Sequence, residues 1–259
     1  MGDSLPPPLA GDFFALLARH HLQNPAPDAS ASLPPTQIQA TTVFAFHFAG
    51  GVLMAGDRRA TAGHLIVTEQ VDKILELDAS SLLAIAGVPA TAFEIARTLK
   101  TSFEYYRRSQ LQSLSLPARL RALSRALRDN LPLTLQGVGV VAPLFAGLDT
   151  TSSPPRPQIY FYDPLGAQFQ AAAFAASGSG AITIRSLLSF QERFGSPTPS
   201  RLPRREAVQL ALRVLTVAAE FDTATGGIQP DASRFATLRI LGPDGISTVD
   251  DAEQRDALG

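Results

Sequence analysis

Thr41-Thr42-Val43-Phe44-Ala45-Phe46-His47-Phe48, then Ala49-Gly50-Gly51, then Val52-Leu53-Met54-Ala55-Gly56-Asp57-Arg58-Arg59, is the stretch from which the rest of the chain can be read. β-Branched and aromatic residues dominate the first run, glycines supply a tight reversal, and a second apolar run follows. The pattern predicts a β-hairpin. Its first arm opens on two adjacent hydroxyls, and its second ends in the carboxylate of Asp57.

Outward from the hairpin, strands are expected at 74–77, 82–86 and 138–144, and in two further turn-linked pairs. The first pair, 159–162 and 169–174, turns at Asp163-Pro164-Leu165-Gly166, and the second, 235–241 and 246–249, turns at Gly242-Pro243-Asp244-Gly245. Ala92, Ala96, Leu99 and Phe103 recur at helical spacing, as do Leu116, Leu120, Leu123 and Leu127, and Val208, Leu212, Leu215 and Ala219. A shorter helix is expected over 182–194. The order is strands, two helices, strands, two helices, strands. This is not the alternation of a parallel doubly wound sheet. It fits an α+β fold of two stacked antiparallel sheets with a helix pair outside each.

Upstream of Thr41 the texture differs. Residues 1–40 hold 7 of the 20 prolines and one short apolar piece, Phe13–Leu17, which reads as an arm or pro-segment and not as a packed domain. The expected organisation is therefore a removable segment, 1–40, and one domain, 41–259.

Composition narrows the chemistry. A hydrophobic content of 45% rules out wholesale disorder, and a net charge of −1 offers no broad attraction for nucleic acid or anionic lipid. Asp3 and the early prolines do not suit a signal peptide, and no apolar run reaches the ~20 residues of a membrane span. A soluble cytoplasmic protein is expected. With no cysteine, thiol nucleophiles and thiolate metal sites are excluded. Of the four histidines, His20 and His21 lie in the arm, His47 lies mid-strand, and His64 follows a glycine in a loop, so a serine–histidine–acid triad has no good histidine. No phosphate-binding glycine loop or zinc-protease motif is present. No cofactor or metal is expected. Of the 22 basic residues only Lys73 and Lys100 are lysine, so each of those two asks for a reason.

Thr41, Asp57 and Lys73 could meet at one end of a sheet. A threonine hydroxyl is a weak nucleophile without a base. If the chain were cut before Thr41, its own α-amine, with an ordinary pKa of ~8, would serve. A neighbouring lysine would lower that pKa and steady the developing alkoxide, and an aspartate would hold the lysine in place. On spacing alone, a plain hairpin with a surface Asp57–Lys73 ion pair is the favoured reading.

These residues, with Ala60-Thr61, Val71-Asp72-Lys73-Ile74, Ala84-Ile85-Ala86-Gly87, Leu144–Asp149, Ser177-Gly178-Ser179 and Asp222–Gly227, resemble the β-subunits of the bacterial (actinobacterial-type) 20S proteasome. The likeness runs from residue 41 to about 250 at family spacing, with Asp57 16 positions and Lys73 32 positions after Thr41. It implies the N-terminal-nucleophile hydrolase fold, a four-layer αββα sandwich, and a threonine endopeptidase acting on unfolded proteins. Carried over, Thr41 is the nucleophile and its freed amine the base, Lys73 tunes that amine, and Asp57 orients Lys73. The Gly87 N–H is the oxyanion donor. Ser177, Asp222 and Thr225 hold the amine and lysine by hydrogen bonds, Thr225 standing where serine is commoner. Arg59 would brace the site.

The substrate-binding positions implied are Ala60, Thr61, Val71, Leu75, Ile85 and Pro89, which are uncharged and mostly apolar, so cleavage after hydrophobic or small residues is expected. The autocleavage site is Ala40–Thr41. The family usually has glycine before the nucleophile, and the Ala40 methyl makes the required turn harder. Implied partners are α-subunits, other β-subunits in stacked heptameric rings, and indirectly an ATPase ring; neither nucleic acid nor membrane is expected. Alternatives are a silent ring subunit, or a self-compartmentalised peptidase or amidohydrolase working without α-subunits.

Overall fold

The structure, a computed structural model, describes residues 41–62, 65–228 and 235–259. The expected pro-segment, with Ala40 and Phe13–Leu17, lies outside the described residues, as does His64.

The hairpin forms as read: β1 (Thr42–Phe48) pairs antiparallel with β2 (Gly51–Gly56), and Phe46 lies opposite Leu53. Both faces of this hairpin are buried. Phe44, Phe46, Leu53 and Ala55 face one apolar cluster, whereas Val43, Ala45, Val52 and Met54 face another. Each large side chain so buried contributes on the order of 1.5–3 kcal/mol.

After β2 come two short strands, β3 (Ala60–Ala62) and β4 (Leu65–Thr68), then β5 (Ile74–Asp78) and β6 (Ser81–Ala84). Helices α1 (Pro89–Gln110), α2 (Leu116–Asp129) and α3 (Leu131–Leu135) precede β7 (Leu144–Asp149), β8 (Arg156–Tyr162), β9 (Gln168–Ala171) and β10 (Phe174–Gly178). The chain ends with α4 (Ala181–Phe194), α5 (Arg204–Phe221), β11 (Thr237–Gly242), β12 (Gly245–Val249) and α6 (Asp251–Leu258).

Strands assemble as β10-β1-β2-β11-β12 and β5-β6-β7-β8-β9, all neighbours antiparallel, with β3-β4 as a separate ribbon. Val43, Ala45 and Met54 meet Ile74, Leu82, Leu144 and Ile159 between the two sheets. Leu99, Phe103, Leu120 and Leu127 cover the outer face of the second sheet, while Leu188, Val208, Leu212 and Leu215 cover that of the first. The result is the expected αββα sandwich. Among the described residues no helix is long and apolar enough to cross a membrane.

Three expectations need correction. The strand over 138–144 instead begins at Leu144, because Gly137, Gly139 and Pro143 interrupt the preceding segment, which meets the sheet through a Val141–Gly87 bridge and the Tyr162 amide on the Pro143 carbonyl. The strand over 169–174 is two strands in different sheets, β9 and β10, with the chain crossing between layers at 172–173. Finally, β3, β4, α3 and α6 are additional to the sequence reading.

Candidate active site

One end of the sandwich collects the start of β1, the ends of β2 and β10, the start of β5 and the loop after α5. The register sets this convergence: Thr42 lies opposite Gly178, and Gly56 lies between Val43 and Thr237.

Asp57 sits at the centre with its side chain 0% exposed, and its carboxylate is met by four donors. Oδ1 accepts from the Thr42 amide (3.0 Å) and from Lys73 Nζ (2.6 Å), and Oδ2 accepts from the amides of Arg59 and Gly226 (2.9 Å each). Lys73, 2% exposed at its side chain, also donates to the Arg59 carbonyl at 2.5 Å. A surface ion pair is therefore excluded. Burial pulls the Lys73 ammonium below the ordinary lysine value, the Asp57 carboxylate opposes this by charge and hydrogen bond, and the Arg59 charge adds to it. Two of the three ammonium protons are thus used. At its backbone, the Lys73 carbonyl accepts from the Ile85 amide at 2.9 Å.

Thr41 is buried at the head of β1, its carbonyl accepting from the Ser179 amide at 3.1 Å. Gly178 makes this approach possible: it has φ +97°, and a Cβ there would collide with the Thr41 carbonyl oxygen. Gly87, at φ +113°, is likewise confined to glycine, because a Cβ would meet the Val140 carbonyl oxygen. The flanking Ala86 carbonyl and Val88 amide bond to Ala142 and Val140, fixing that strand end.

Ser177, Asp222 and Thr225 do reach this end, but with partners of their own. Ser177 Oγ donates to the Ala142 carbonyl (2.6 Å), and Thr225 Oγ1 donates to Asp222 Oδ2 (2.5 Å) and contacts Thr42 Oγ1 (2.6 Å). In the intact chain the Thr41 nitrogen is an amide, so there is no ammonium here for them to hold. Asp222 acts on Lys73 through its charge, favouring the protonated form. Arg59 braces the surrounding loops, bonding the Thr223 and Thr225 carbonyls and Glu69.

Of the expected substrate-binding positions, Ala60 and Thr61 are buried on β3, and Val71 is tied to the Arg58 carbonyl by its amide. Leu75 and Ile85 join Phe93 of α1 in the cluster outside the second sheet, and Pro89 opens α1. Sequence reasoning assigned nothing to the Thr42 hydroxyl, to Gly180 or to the Gly226 amide. The doubled Thr41-Thr42 was the only visible sign of the first.

Comparison with known proteins gives one answer. The family model described as proteasome subunit matches residues 38–228. A proteasome subunit beta of Acidimicrobium ferrooxidans is 37% identical over 243 residues, covering 93% of this chain and 85% of that protein. Those of Acidothermus cellulolyticus and Frankia casuarinae are 34% and 35% identical, each over 93% of this chain and over 81% and 85% of their own lengths.

Proposed function

We propose, since this chain belongs to the proteasome family as a β-subunit of the 20S core, that its peptidase activity is of the threonine type with Thr41 as nucleophile. The observation that carries this reading is the buried Lys73–Asp57 ion pair beside the head of β1. A buried ammonium with a lowered pKa, sharing a carboxylate oxygen with the amide of the residue after Thr41, is costly for stability and suited to proton management.

In this reading the chain is cut between Ala40 and Thr41, residues 1–40 leave, and the freed amine accepts the Thr41 hydroxyl proton as its oxygen attacks the substrate carbonyl. Lys73 keeps the amine's pKa near neutrality and stabilises negative charge on the threonine oxygen, while Asp57 holds Lys73. The Gly87 N–H receives the carbonyl oxygen as it becomes an oxyanion. The protonated amine then gives its proton to the leaving amine, and water, activated by the same group, releases the acyl-enzyme. Ser177, Asp222 and Thr225 order the amine once it exists. Ala60, Thr61, Val71, Leu75, Ile85 and Pro89 form the side-chain pocket, which favours hydrophobic or small residues. The working form is a cytoplasmic particle of stacked heptameric β-rings with α-rings, fed with unfolded protein by an ATPase ring.

Intact mass and peptide turnover test the reading together. The assembled wild type should lose Met1–Ala40 and hydrolyse peptides, and Thr41→Ala should do neither. Retention of residues 1–40 in an active wild-type particle, or full activity in Thr41→Ala, overturns it.

A further inference from the structure

Thr42 is bonded to the Asp57 carboxylate directly and to the Asp222 carboxylate through Thr225. Its amide donates to Asp57 Oδ1, the oxygen that also takes Lys73 Nζ. Its hydroxyl is in a chain whose direction is fixed by proton counting. Thr225 Oγ1 has a single proton, and it goes to Asp222 Oδ2 at 2.5 Å. The 2.6 Å Thr42–Thr225 contact is therefore donated by Thr42. The Thr42 oxygen in turn accepts the Gly180 amide at 3.1 Å. The sequence Gly180 N–H to Thr42 to Thr225 to Asp222 is one-way, and it ends on a charge.

We infer that Thr42 is the positioning residue for the reaction at Thr41, its hydroxyl fixing the head of β1 against the Asp222 loop. The inference rests on the reading of Thr41 as nucleophile. A Thr41 freed at its nitrogen is held by covalent bonds only through Thr42. Its carbonyl is tied to Ser179, next to the Gly180 that bonds the Thr42 hydroxyl, and the Thr42 carbonyl accepts the Asp57 amide at 3.2 Å. Loss of the hydroxyl would leave the Gly180 amide without its buried acceptor, remove the donor to Thr225 Oγ1, and free the segment bearing Thr41 to shift. Misplacement of a reacting group by about 1 Å costs on the order of 100-fold in rate.

The test compares Thr42→Val, Thr42→Ser and Thr41→Ala in the assembled particle, with turnover counted per processed site by intact mass. Thr42→Val keeps the shape and should lower kcat by about 10- to 100-fold with KM within about twofold. Thr42→Ser keeps the hydroxyl and should restore kcat to within about threefold. Thr42→Val combined with Thr225→Ala should be no slower than the slower single variant, since both break one chain. If Thr42→Val does not assemble, Thr42→Ala against Thr42→Ser makes the same comparison. A Thr42→Val or Thr42→Ala particle with wild-type kcat, or a Thr42→Ser particle as slow as Thr42→Val, overturns the inference. Full activity in Thr41→Ala overturns the underlying reading instead.

Discussion

Replacing Asp57 by asparagine keeps the shape of the side chain and removes its charge, and the surrounding donors determine the cost. Asparagine has one carbonyl oxygen where aspartate has two equivalent ones. With that oxygen toward Lys73 and Thr42, the new NH2 faces the amides of Arg59 and Gly226, donor against donor. Two protein donors then lose their partners, at about 1–3 kcal/mol each. With the amide turned over, the NH2 faces Lys73 and the Thr42 amide, and a buried ammonium is stranded, at about 3–5 kcal/mol. Either orientation predicts a loss of roughly 3–5 kcal/mol, a large fraction of a domain's stability. Because the chain has no tryptophan, urea unfolding of the unassembled subunit is best followed by far-UV circular dichroism. Asp57→Asn combined with Lys73→Met should recover much of the loss, because no charge remains to be stranded. A cost below about 1 kcal/mol for Asp57→Asn would refute the argument, since that is the value of a solvated pair.

Other parts of the site give further expected outcomes. Gly87→Ala should cost about 1–3 kcal/mol in urea unfolding, from the forbidden φ and the collision with Val140. It should also lower peptide turnover by about 10²–10³-fold by displacing the oxyanion donor; near-normal turnover would remove Gly87 from the mechanism. Fluorogenic peptides ending in leucine or tyrosine should be cut faster than one ending in arginine, and the reverse order would refute the pocket assignment. For Lys73, burial lowers the folded-state pKa while the unfolded chain keeps the ordinary value of about 10.4. Between those values the unfolded chain binds more protons, so this contribution to stability is present above the ordinary value and lost as pH falls through the folded one. The urea midpoint of wild type relative to Lys73→Met should therefore rise as pH climbs toward the ordinary value of about 10.4, and a fall would contradict it.

The hairpin at 42–56 was legible because β-branched and aromatic residues fill its first arm, glycines supply the reversal and a second apolar run follows. Phe44 and Phe46 alternate with Val43 and Ala45, and the structure buries the two sets in separate clusters. The crossing at 172–173 was not legible: three alanines run between Gln170 and Phe174, and nothing local says that the hydrogen-bonding partners change. The same distinction applies at the site. Spacing brought Asp57 and Lys73 to attention but could not tell a wet ion pair from a dry one, because the dryness comes from packing above and below them. Thr42 stayed silent because the partners of its hydroxyl, Gly180 and Thr225, lie 138 and 183 residues away along the chain.

Those separations also set a timetable. The Asp57 carboxylate is completed by the Gly226 amide, 169 residues downstream, and the Thr42 hydroxyl by Thr225. A ribosome adding about 5–20 residues per second needs roughly 10–40 s to travel from the one to the other. During that interval the nascent polypeptide has its threonine, aspartate and lysine but not the loop that orders them. The loop after α5 supplies that order, so the head of β1 gains its full set of partners only once most of the domain has been made.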